Sequence, residues 1–106
     1  MRRGTTPTIP LVVKADISDW TRFVTFLNGD DKWADVLLDL GNDRQTATLE
    51  DGKTTIGVTL TQEETLSFEP GIVYVQVRAV KGATAVATES KPIEVEDVLR
   101  EGVISE

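Results

Sequence analysis

Residues 46–60, TATLEDGKTTIGVTL, decide the class of fold. Ile56, Val58 and Leu60 alternate with Gly57 and Thr59, the two-residue period of a strand with one buried face. Asp51-Gly52 separates this run from the one before it, and Asp-Gly tolerates the positive φ angles that a tight hairpin turn demands. The stretch therefore predicts two antiparallel strands turning at Asp51 and Gly52.

The same signals recur on both sides. Ile9, Leu11 and Val13 alternate with Thr8, Pro10 and Val12, and Pro7 and Pro10 confine this first strand to the edge or start of a sheet. Apolar runs at about 21–27 and 33–40 flank Asn28-Gly29-Asp30-Asp31, which reads as a second hairpin. Phe23 and Leu27 oppose Val24 and Phe26 across that first run, so it is either central in a sheet or touches something beyond the domain. Thr61-Gln62-Glu63-Glu64 has the spacing of a capping box, and Pro70-Gly71 limits the helix it starts to one turn. Val73, Val75, Val77 and Ala79 then form one face of a long strand, with Tyr74, Gln76, Arg78 and Val80 on the other. Lys81-Gly82 turns the chain back into a return strand, Thr84 to Ser90 and Pro92 to Val95, with a bend expected near Ser90–Pro92 because proline cannot donate to a ladder. Glu96 to Gly102 reads as a terminal helical segment with Gly102 as its C-cap.

About seven short strands in 106 residues predict an all-β, single-domain, antiparallel immunoglobulin-like sandwich, with a flexible arm at 1–6 and a terminal turn or tail at 96–106. A small closed barrel is the alternative. The length suits one core, since a chain of roughly 100 residues buries about two thirds of its unfolded surface.

Composition excludes several chemistries. Cysteine and histidine are both absent, which removes disulfides, thiolate metal sites, the commonest nucleophile and the commonest general base. The formal net charge of −7 opposes nucleic-acid binding. No apolar run approaches the roughly 18 residues of a membrane helix, and residues 1–13 lack the uninterrupted apolar segment of a secretory signal. Asp30, Asp31, Asp35, Asp39, Asp43, Glu50, Asp51, Glu63 and Glu64 gather in and around turns, but without calcium-loop spacing they read as solvated charge that protects sheet edges. A carboxylate-pair hydrolase would need a larger scaffold to grip a sugar chain. The threonines have no base to activate them, and the isolated glycines match no phosphate loop. No catalytic residue, metal or cofactor is assigned.

Trp20 and Trp33 carry the remaining options. Core packing is the plain reading for Trp33, whereas partial exposure with a partner contact fits Trp20 as well as burial does. Used together on one surface they would instead suit a carbohydrate-binding or cell-surface module, because aromatic faces pack on sugar rings.

Four stretches, MRRGTTPT at 1–8, LTQEETLSF at 60–68, VQVRAV at 75–80 and EDVLREGVI at 96–104, lie in order from one end of the chain to the other. In them the chain resembles a family of small proteins encoded among the tail and baseplate genes of phages and prophages of Gram-positive bacteria. Such proteins are similar to the amino-terminal, immunoglobulin-like domain of upper baseplate proteins. The segment Thr21–Arg44 departs from that pattern. The resemblance implies a virion structural protein assembled in the host cytoplasm, whose partners are other tail or baseplate proteins or further copies of itself, and it supplies no catalytic residues. The candidate interface residues are Arg2, Arg3, Thr5 and Thr6 in the arm, Trp20, Phe26 and Trp33 around the first hairpin, and Val98, Leu99, Val103 and Ile104 at the other end. Arg2 and Arg3 would meet the acidic hairpin of a neighbouring copy.

Overall fold

The computed structural model describes residues 1–88, 90–98, 100 and 102–105. The alternating segments become β1 (Thr8–Val13), β2 (Thr21–Leu27), β3 (Val36–Leu40), β4 (Gln45–Glu50), β5 (Lys53–Thr59), β6 (Gly71–Lys81), β7 (Thr84–Ala87) and β8 (Lys91–Val95). A 3-10 turn at Asn42–Arg44 leads into β4, and one helix, α1 (Gln62–Leu66), carries the chain from β5 to β6. The strands form two antiparallel sheets packed as a sandwich. One has three strands in the order β1-β5-β4; the other has five, β3-β2-β6-β7 in sequence with β8 also paired to β6.

The hairpin at residues 51 and 52 forms as the sequence predicts, with Asp51 at φ 51° and Gly52 at φ 74° and Glu50 opposite Lys53. Its inner residues Thr54, Ile56 and Val58 face Val24, Phe26, Val73, Val75 and Val77 of the other sheet within one buried core. Phe26 and Phe68 meet there with ring centroids 5.8 Å apart. Thr61 caps α1 by accepting from the Glu64 N–H while the Glu64 carboxylate accepts from the Thr61 N–H, the expected capping box.

Three local expectations are corrected. Asn28-Gly29 is not a tight turn. Neither residue has a positive φ, and the Asn28 side chain instead binds the Asp35 N–H at 2.8 Å while its own N–H donates to the Asp35 carbonyl. The loop therefore closes at Asn28 and Asp35, and β3 starts at Val36 rather than 33. The return strand is interrupted between Ala87 and Lys91, so the bend expected near Ser90–Pro92 begins slightly earlier, at Thr88, and Pro92 lies within β8. Arg78 pairs with Ala87 but Val75 pairs with Lys91, a one-residue slip between β7 and β8. The Thr88 hydroxyl takes the Val77 N–H in place of a main-chain carbonyl, which accounts for the eighth strand. No described residue after Val95 is helical. Glu96 bonds instead to the main chain of Met1 and Arg3 and forms a parallel bridge with Arg2, while Leu99 and Glu101 lie outside the described residues.

Candidate docking surface

Sheet edges and outer faces are where a sandwich meets other molecules, and the edges here are treated unequally. The bond from Leu60 N–H to Pro7 carbonyl fixes the phase of the β1–β5 ladder. Odd-numbered residues of β1 therefore turn their main chain to β5, and Thr8, Pro10 and Val12 turn theirs to the open edge. Pro10 has no N–H to offer there, a device that discourages strand addition. The β8 edge is covered by the arm: the Met1 ammonium donates to the Glu94 carbonyl, Glu96 N–H to Met1, and Arg3 N–H to Glu96.

β7 has neither protection. The bond from Thr88 N–H to Val77 carbonyl shows that even-numbered residues of this strand face β6. Ala85 and Ala87 thus present their N–H and C=O groups outward. Beside this edge, on the face of the five-stranded sheet away from the core, lies a groove of about 450 Å³ lined by Thr21, Phe23, Arg78, Val80, Ala85 and Ala87. Phe23 is 43% exposed and Val80 40%, two apolar side chains at diagonal positions on the solvent side of neighbouring strands, with Phe23 directly opposite Arg78. Among the described residues the one charge in the lining is Arg78, which is exposed and makes no ion pair with any of them. At the end of β6, Lys81 binds Asp19 at 2.6 Å, and that hydrogen bond holds the Asp19 carboxyl below its usual range.

The residues proposed from sequence fall elsewhere. Phe26 is fully buried in the core and is corrected from an interface candidate to a core residue, because its place on β2 faces the other sheet. Trp20 is half-buried against the core. Trp33 is 80% exposed rather than packed, since the 28–35 loop is pinched at its base and carries the ring away from the sandwich. Its N–H donates to the Asp31 carboxylate and Lys32 lies 5.1 Å from its ring. Trp20 precedes β2 and Trp33 follows it, so about 20 Å of strand separates them and they share no platform.

The two chain ends, by contrast, are brought together on α1. Arg2 pairs with Glu96 at 2.5 Å and Arg3 with Asp97 at 2.7 Å, so these arginines meet acids of their own chain. The Asp97 carboxyl is held below its usual range by the Val98 N–H and by Arg3. The buried Thr65 hydroxyl accepts from Gly4 N–H and donates to the Thr5 carbonyl. Gln62 clasps the main chain of Ile104 through both ends of its amide, and Thr6 and Val103 line one shallow depression over the helix. Val98 is half-buried; Leu99 lies outside the described residues.

The alternation puts Arg78 and Val80 together on the face of their strand opposite Val73, Val75, Val77 and Ala79, and apolar residues on both faces of β2. The missing signal was β7, since TAVA carries too little pattern to mark an exposed edge. Among the described residues no group of three acidic, histidine or cysteine side chains is placed to hold a metal ion. None of the helices described is long and apolar enough to cross a membrane. No protein-family model matches the chain, and no curated protein matches it either.

Proposed function

We propose that the chain is a non-enzymatic structural component of a phage or prophage particle, a tail or baseplate module that acts through protein–protein assembly. The observation that carries this reading is the apolar groove of Phe23 and Val80 lying beside the unprotected edge of β7. An exposed strand edge with adjoining apolar pockets is the means by which sheets recruit further strands. The strand order supports an immunoglobulin-type module: β1-β5-β4 corresponds to strands B, E and D, and β3-β2-β6 with β7 and β8 to C′, C, F and G. The resemblance of its four sequence stretches to tail and baseplate proteins supplies the setting, a virion assembled in the host cytoplasm. Mass spectrometry of purified virions, induced from a lysogen that carries the gene, tests the proposal. Peptides of this chain are expected at a stoichiometry comparable to other tail components, and their absence overturns it.

One observation favours a second reading, a carbohydrate-binding or cell-surface module. Trp33 stands almost fully in solvent on a pinched loop. Titration with glycans while following tryptophan emission separates the readings: a saturable shift abolished in Trp33→Ala supports a lectin, and an unchanged spectrum supports assembly.

A further inference from the structure

We infer that copies of this chain join side by side through their five-stranded sheets, β7 of one copy pairing with β3 of the next; the inference rests on the assembly reading above. Strand polarity is the first support. β3 is antiparallel to β2, β2 to β6 and β6 to β7, so the two edges of this path run in opposite directions. A second copy set alongside in the same orientation therefore brings its β3 antiparallel to β7, and the alternation of the sheet continues unbroken.

The main-chain phase agrees. Odd-numbered residues of β6 face β7, so its even-numbered residues face β2, and even-numbered residues of β2 in turn face β3. Val24 is thus hydrogen-bonded to Leu40, and the N–H and C=O of Asp39 point to the open edge. Asp39 carries its side chain on the outer face, where it accepts from the Thr25 hydroxyl at 2.8 Å. Ala85 and Ala87 also carry their outward main-chain groups with side chains on the outer face. Joining the edges therefore sets outer face beside outer face, and neither sheet turns its core residues to water.

Charge is the third support. Among the described residues the β7 groove brings Arg78 and no acid, while the β3 edge brings Asp39 on the same outer face. In the joined sheet β6 of one copy and β3 of the next flank β7, about 10 Å apart. Only the methyl groups of Ala85 and Ala87 lie between, so the Arg78 side chain can extend across them to the Asp39 carboxylate of the second copy. Because the two edges differ, the contact is heterologous and propagates into a ring or a filament.

Sedimentation velocity on the full chain, across a dilution series at low and high salt, tests the contact. The wild type is expected to self-associate, more weakly as salt rises. Arg78→Asp and Asp39→Lys are each expected to weaken association at least about tenfold, because each sets like charges face to face. Mixing the two variants restores association, since each contact then pairs opposite charges. Ala85→Pro removes an outward N–H without touching the β6 ladder and is expected to leave a folded monomer, its circular dichroism and melting midpoint close to wild type. A wild type that stays monomeric overturns the inference, as does a folded Ala85→Pro variant that associates normally or a mixture that does not recover. A monomer still present in virions removes this contact and leaves the assembly reading standing; an oligomer absent from virions does the reverse.

Discussion

Thr54 looks like one more β-forming threonine in the sequence, yet its side chain is completely buried on the inner face of β5. Its hydroxyl accepts from Ile17 N–H at 3.0 Å and donates to the Ala15 carbonyl at 2.7 Å, which ties the crossover from β1 to β2 to the opposite strand. Thr54→Val keeps the shape and strands both main-chain groups, so urea denaturation should show a loss of about 1–3 kcal/mol. Arg22 works similarly at the end of β2: its buried guanidinium donates to Gln45 and to the Ile17 carbonyl, so neutral oxygens of the core rim carry the charge. Glu64 is the titratable counterpart. Burial raises its pKa, but the Arg44 guanidinium at 2.6 Å and the Thr61 N–H outweigh burial and hold it below its ordinary value of 4.5. Asp97 and Asp19 are lowered as well. A lowered folded-state pKa confers stability that is complete above the ordinary carboxylate range and is lost as pH falls through the folded values. The melting midpoint should therefore stay flat from neutrality to about pH 5 and drop below about pH 4. Glu64→Gln should make that acid drop shallower, measured by thermal scans across pH.

The β4–β5 hairpin was legible because two independent signals agreed on it, the alternation of Ile56 and Val58 and the positive-φ tolerance of Asp51-Gly52. Gly52→Ala tests the turn; with φ at 74° the added Cβ meets backbone strain although nothing crowds it, and a loss of about 1 kcal/mol in thermal denaturation is expected. Asn28-Gly29 misled because an Asn side chain has two uses. It can adopt positive φ in a turn, or, as here, replace a main-chain partner, and the choice was made by Asp35, seven positions away. At the described residues of the expected terminal helix the reason is related: local propensity lost to long-range pairing of Glu96 with Met1 and Arg3, which no periodicity records. The break at Thr88 also depends on a side chain entering the ladder. The candidate surface was half legible. Phe23 signalled apolar character on the second face of β2, and the alternation set Arg78 and Val80 on one face of β6, but which face turns outward and the alanines that leave β7 open are silent in sequence.

At the scale of the whole molecule the ends of the chain behave as one unit, with residues 1–5 laid across Glu94–Asp97 and α1. Exposed ion pairs such as Arg2–Glu96, each side chain at least half exposed, contribute under about 1 kcal/mol. Arg2→Ala should therefore shift the melting midpoint little and reduce its salt dependence slightly. Removing residues 1–6 takes away the main-chain pairing and the Thr65 contacts together, so a drop of several degrees and a newly open β8 edge are expected, read by calorimetry and by association under dilution. That closure also sets a timetable. Met1 to Arg3 leave the ribosome before Glu94 to Glu96, with which they pair and which are made about 90 residues later. At roughly 5–20 residues per second the arm waits some 5–20 s for its strand. Until Glu94 to Glu96 are made the arm can reach Thr65 on α1 but has no strand to pair with, so its docking is completed only after β1 to β7 have been synthesised.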